Sequence, residues 1–141
     1  MKKFLIVGCG GSGAKTQAYM IDQLKAYLRR VDPEIDRLPA AWQFVSIDSP
    51  LEAEKYDVPN VKQSGGSYIS VGNRQHYNEF DTGLSRKLGQ AGALGEVATW
   101  ADRNPRTRNT PISDGAGQYR AIGRMLAINS CLLYTSDAAD E

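Results

Sequence analysis

Phe4, Leu5, Ile6 and Val7 form an unbroken apolar run that stops at Gly8. A short run closed by glycine marks a strand buried on both faces of a parallel sheet, so residues 3–7 are predicted as a first strand. Residues 14–30 contain neither glycine nor proline, and Ala14, Ala18, Ile21, Leu24 and Leu28 recur on one face at steps of three and four. That spacing predicts an amphipathic helix. Arg29 and Arg30 suit the negative end of its dipole by about 0.3–1 kcal/mol each, and Pro33 limits its extension, so it should stop near Asp32. Trp42-Gln43-Phe44-Val45-Ser46-Ile47 is rich in β-branched and aromatic residues and ends in the turn Asp48-Ser49-Pro50, which predicts a second strand. Residues 61–92 scatter Gly, Ser and Asn without a sustained period, predicting a long connection with one strand at residues 68–71. Leu94, Val97, Ala98 and Ala101 mark a shorter helical face that ends before Asn104-Pro105. After a polar loop comes Ser113-Asp114-Gly115-Ala116-Gly117, and Ala121, Ile122, Met125 and Ile128 then mark a third helix.

The order strand, glycine loop, helix, strand implies the α/β class: a parallel sheet with flanking helices and right-handed crossovers. Ligands of such sheets bind at the carboxyl ends of the strands. Three loops fall there: residues 8–13, the turn at Asp48, and residues 114–117.

Composition narrows the function. At 141 residues with 41% hydrophobic and 23% charged positions, the chain has the make-up of one small globular domain. A formal net charge of +1 without a long basic run gives no electrostatic footprint for nucleic acid or a membrane surface. The apolar run at the start is too short for a secretory signal, and no stretch approaches the roughly 20 apolar residues of a membrane span. Cys9 and Cys131 have neither metal-ligand nor disulfide spacing, which makes a reducing, cytoplasmic setting the default.

Gly8-Cys9-Gly10-Gly11-Ser12-Gly13 lies between a predicted strand and a predicted helix. Four glycines in such a loop permit a tight turn and let backbone N–H groups approach a phosphate, and the helix N-terminus adds unpaired donors and its positive dipole end. A plain turn that needs glycine only for backbone freedom is the simpler use of the same residues. A Walker loop is one residue out of register, because Ala14 separates Gly13 from Lys15-Thr16. The dinucleotide fingerprint G-x-G-x-x-G is met by Gly8, Gly10 and Gly13. Its ribose-binding acid should follow after roughly 20 residues, whereas Asp48 follows Gly13 by 35. An NAD(P)- or FAD-binding oxidoreductase domain therefore stays open as an alternative, as does an interaction module that keeps the fold without a nucleotide.

Gly115-Ala116-Gly117, five further residues and then Gly123-Arg124 resemble the third nucleotide loop of the tubulin/FtsZ superfamily of GTPases, which reads G-A-G, five residues, G, often followed by a basic residue. Ala121 fits the tubulin version. The opening glycine loop resembles that family's first loop, and Phe44-Val45-Ser46-Ile47-Asp48-Ser49 resembles the strand and second loop between them. The chain departs from FtsZ at Asp48-Ser49-Pro50, at Lys15 where an asparagine is common, and at Tyr119 and Arg120 where acidic and proline residues stand; these departures suggest a divergent bacterial tubulin-like protein.

The resemblance implies GTP as the bound cofactor, with magnesium in the complete protein, and head-to-tail self-association into filaments. Backbone N–H groups of Gly10, Gly11, Ser12 and Gly13 would hold the α- and β-phosphates, those around Ala116 and Gly117 would face the γ-phosphate, and Asp48 would accept from ribose hydroxyls. Gly8, Cys9 and Gly115 complete the implied contact set. Lys15 and Arg124 read as solvated helix positions, Arg103, Arg106 and Arg108 as a polar surface loop, and His76 as an ordinary loop residue without a partner. The family's fourth loop, G-G-G-T-G-S/T-G, and its acidic water-activating loop do not occur in these residues. Residues 1–130 are thus expected to be the incomplete first part of a Rossmann-like GTP-binding domain, without a catalytic residue, inactive alone and prone to aggregate through an open sheet edge and an unburied apolar helix face. Residues 131–141, Cys131-Leu132-Leu133-Tyr134-Thr135-Ser136-Asp137-Ala138-Ala139-Asp140-Glu141, resemble one reading frame of a transposon-based sequencing adapter and are expected to be non-native. A long read of the source DNA across the codon for Ser130 should show an open frame continuing into G-G-G-T-G-S/T-G; a stop codon directly after Glu141 would refute both expectations.

Overall fold

The structure, a computed structural model, describes residues 2–72, 74–90, 109, 111–113, 115–117 and 119–137, the side chains at 85, 87–90 and 132–137 excepted. The chain divides into two compact units, Met1–Asp48 with Glu52–Ser70, and Ser49–Leu51 with Val71–Glu141.

The first unit is a parallel α/β layer. Strand β1 (Phe4–Cys9) leads directly into helix α1 (Gly10–Arg29), followed by β2 (Trp42–Asp48) and β3 (Ser67–Ser70). The sheet order is β1-β2-β3, parallel throughout, with Phe4 opposite Trp42 and Val45 opposite Ser67. This is the expected fold class. Helix α1 begins four residues earlier than its apolar period, so Gly10, Gly11 and Gly13 lie inside its first turn. It also stops before Asp32, because the Arg30 and Val31 N–H groups fold back onto the Tyr27 and Leu28 carbonyls and Arg29 Nε donates to the Ile35 carbonyl at 3.1 Å.

The helix seats on the sheet through small residues and one polar one. Ala14, Ala18 and Ile21 are buried, and Ile21 packs with Phe44 and Val61. Between them Gln17, 1% exposed, donates from Nε2 to the Ile6 carbonyl at 2.8 Å and the Val45 carbonyl at 3.1 Å. Its Oε1 accepts from the buried Ser46 hydroxyl at 2.6 Å. One side chain thereby ties α1 to both β1 and β2 with its polar atoms satisfied. Within this unit α1 covers one face only. On the other, Leu5 and Val7 are 64% and 48% exposed, and on α1 Tyr27 is likewise 64% exposed.

The second unit contains helices α2 (Tyr77–Gln90) and α3 (Arg120–Asp137). Tyr77, Phe80 and Leu84 of α2 pack with Ile112 and with Ile122, Met125 and Leu126 of α3. The long connection expected over residues 61–92 is therefore corrected: its one strand exists as β3, but residues 77–90 are helical. Steps of three and four between Tyr77, Phe80 and Leu84 carry the helical period, and Gly83, which costs a helix interior about 1 kcal/mol relative to Ala, obscures it. The helical face at residues 94–101 lies outside the described residues. The third helix forms as expected and runs on through Cys131 to Asp137.

Replacing Gln17 with Leu leaves the buried Ser46 hydroxyl without its acceptor. It should cost about 1–3 kcal/mol in urea unfolding, and Gln17→Leu with Ser46→Ala should recover part of the loss, because removing both partners is milder than stranding one.

Candidate functional site

The glycine segment is a strand end joined directly to a helix. Cys9 is the last residue of β1 and the N-cap of α1, with φ −107°, ψ 129° and no side-chain cap. The first turn contains no acidic residue, so its N–H groups and the positive dipole end have no side-chain counter-charge of their own. Such a terminus is suited to an anion.

The four glycines do different work. Gly10 has φ +71°, a conformation that L side chains rarely adopt. Gly8 and Gly13 are packing glycines: a Cβ on Gly8 would lie 2.8 Å from Gln17 Cδ and from the Gly13 carbonyl oxygen, and one on Gly13 would lie 3.0 Å from the Gly8 carbonyl carbon. Gly8 thus opens the space through which Gln17 reaches the strands. Gly11 meets only ordinary contacts, 3.7 Å to both carboxylate oxygens of Glu54 and 3.9 Å to Asp48 Oδ2. Cys9, Ser12 and Lys15 are exposed, and Ser12 uses its carbonyl to accept from Thr16 Oγ1 at 2.9 Å.

Two carboxylates therefore stand beside the start of α1, Asp48 from the end of β2 and Glu54 from the loop after it. Asn60 Nδ2 donates to the Glu54 carbonyl at 2.9 Å, and the Tyr56 hydroxyl donates to Glu54 Oε2 at 3.2 Å. Asn60 is itself fixed by reciprocal bonds with Gln63, N–H to side-chain oxygen in each direction, at 2.9 and 3.0 Å. Burial first, then the Glu54 charge and hydrogen bond and the Asp48 charge, push the Tyr56 pKa from 10.0 up to about 12. Tyr68 is pushed up to about 12 by burial, then by Asp48, Glu54 and Tyr56. Glu54 carries no motif and sits at no diagnostic spacing from Asp48; only the fold of the loop brings it to Gly11.

In the second unit Ser49 and Pro50 meet the later glycine loop. The Ala116 N–H donates to Ser49 Oγ at 3.1 Å, and the Leu51 N–H to the Ser113 carbonyl at 3.3 Å. Gly115 has φ +126°, and a Cβ there would lie 3.4 Å from Ser49 Oγ; Gly117 has φ +57° and is exposed. The Ala116 amide thus already has an acceptor, supplied by Ser49, which the sequence placed in the second loop without a role of its own. Asp114 and the arginines at 103, 106 and 108 lie outside the described residues. Arg124 is exposed, as expected. His76, expected to lack a partner, has one: it bridges Pro111 in antiparallel fashion, and its Nδ1 lies 3.3 Å from the Asn109 carbonyl.

Among the described residues no group of three or more His, Cys, Asp or Glu is placed to hold a metal, and no helix is long and apolar enough to cross a membrane. The sequence model of one protein family, described as tubulin like, matches residues 5–136. No curated protein and no solved structure matches the chain.

The raised tyrosine pKa values set a pH window. Between about pH 10 and 12 the unfolded chain has lost protons that folded Tyr56 and Tyr68 keep, so their contribution is fully present below pH 10 and is lost as pH rises through 12. Tyrosinate absorbance of the folded protein should show Tyr56 and Tyr68 ionising near pH 12, with Glu54→Gln lowering the Tyr56 step. Ionisation of every tyrosine together near pH 10 would contradict the geometry.

Proposed function

The chain belongs to the tubulin-like family, and from that premise we propose that it is part of a guanine-nucleotide-binding protein that assembles head-to-tail into filaments. The observation that supports the reading within the structure is the start of α1, an acid-free helix N-terminus without a side-chain cap at the carboxyl end of a parallel strand, whose glycines resemble the first loop of that family. In this reading the N–H groups of Gly10, Gly11, Ser12 and Gly13 bind the α- and β-phosphates. Gly8 holds the helix close enough to the strand for them to be presented together. Gly117 is the γ-phosphate contact of the later loop; Ala116, its amide engaged by Ser49, positions that loop through the hydrogen bond.

Asp48 and Glu54 give the proposal its polarity. Asp48 is assigned to ribose hydroxyls, for which a carboxylate is a suitable acceptor. Asp48 and Glu54 beside a phosphate site would repel a bare nucleotide, and they are the carboxylates that would share a magnesium ion carried with the phosphates, whose charge would offset that repulsion. The chain itself is assigned no catalytic residue: residues 1–130 are read as the first part of the domain, acting in the cytoplasm, with hydrolysis left to segments outside it.

An acid at the end of β2 is also what a dinucleotide-binding domain places at its ribose, so the test needs an NAD arm. The product of the complete reading frame should bind a fluorescent GTP analogue, with GTP competing better than ATP and NAD not at all. Gly11→Ala should weaken binding by roughly tenfold, or about 1.4 kcal/mol, at unchanged thermal stability, because its Cβ meets only ordinary contacts in the fold. Displacement by NAD rather than GTP would replace this reading with the dinucleotide one; a monomer indifferent to every nucleotide would overturn both.

A further inference from the structure

The first unit has a second concavity, far from the glycine segment. A cavity of about 720 Å³ opens where β2 and β3 begin, lined by Trp42 and Ser67, the first residues of those strands, and by the preceding connections. Its size lies within the roughly 300–1,000 Å³ range of small-molecule sites. Because the strands run parallel, this is the opposite end of the sheet from the start of α1; the length of β2 alone separates the two ends by about 20 Å.

Three observations give the cavity a chemistry. Lys25 of α1, Arg37 of the α1–β2 connection and Lys62 of the turn before β3 all line it, against one acid, Asp36. Asp36 engages Arg37 only at 3.8 Å through side chains 80% and 89% exposed, a contact too solvated to neutralise it. The Trp42 ring is held by an edge contact with Phe4, centroids 6.1 Å apart at 75°, and the Lys62 turn is fixed by the reciprocal Asn60 and Gln63 bonds.

We infer that this cavity is a binding site for a small organic anion, whose carboxylate or phosphate group is drawn by Lys25, Arg37 and Lys62 and whose planar body lies against Trp42 and Leu38. Nothing in the nucleotide reading uses these residues, and the site stands or falls without it.

Trp42 is its own reporter. In a Trp100→Phe background, benzoate and phenyl phosphate are titrated into the full chain while Trp42 emission is recorded, with benzyl alcohol as the neutral counterpart. Saturation by either anion near or below about 1 mM is expected, the better of the two naming the anionic group, with no response to the alcohol. Lys25→Ala with Lys62→Ala should weaken binding by roughly fivefold or more, since each removes an attracting charge, without altering the circular dichroism of the fold. The inference is overturned if neither anion saturates by about 10 mM, if benzyl alcohol gives the same response, or if the lysine double variant binds as tightly as the parent.

Discussion

The described first unit depends on one buried amide. Gln17 replaces what would ordinarily be an aliphatic contact between α1 and the sheet with three hydrogen bonds, two to strand carbonyls and one from Ser46. Apolar packing alone is non-directional and would let the helix slide along the sheet. Carbonyls on two adjacent strands fix its rotation and its advance. With the advance fixed, the first turn of α1 sits at the end of β1, and the geometry of the glycine segment follows.

That constraint explains why the glycines cannot be treated as one motif. Gly8 is required by Gln17 and Gly13, Gly13 by Gly8, and Gly10 by its positive φ. Gly11 is the glycine of the first turn that the fold leaves with only ordinary contacts, and it faces Asp48 and Glu54. The fingerprint spacing of Gly8, Gly10 and Gly13 is thus mostly a record of how closely a helix approaches a strand. Families with unrelated ligands share it because they share that packing problem, which is why the glycine pattern alone left the dinucleotide and GTPase readings both open.

The start of α1 combines an acid-free helix terminus with acidic neighbours. Asp48 and Glu54 stand beside the helix terminus, and burial first, then these charges, raise the pKa of Tyr56 and Tyr68. A surface with donors and carboxylates side by side favours a ligand carrying both acceptor and donor groups, or an anion that brings its own cation. In the second unit Ser49 fastens the later glycine loop through Ala116, so two loops 67 residues apart in the chain respond to one hydroxyl.

The amino-acid sequence by itself determined the class and order of the elements: the apolar run of β1, the three- and four-residue period of α1, the β-branched run of β2 and the apolar face of α3 are local patterns that burial enforces wherever they occur. It also marked residues 8–13, Asp48 and residues 115–117 as candidates, through glycine content and order along the chain, and the match to the tubulin-like family spans all of them. Helix α2 escaped because Gly83 and scattered polar residues mask a period that only its packing against α3 makes decisive. What the tertiary structure decided was every relation between distant residues: that Gln17 reaches Ile6 and Val45, that Asn60 and Tyr56 set Glu54 beside Gly11, that Ser49 holds Ala116, and that Trp42 and three cations line one cavity. These depend on how loops close, and loop closure is settled by contacts whose partners stand far apart in the chain, where local pattern carries no signal.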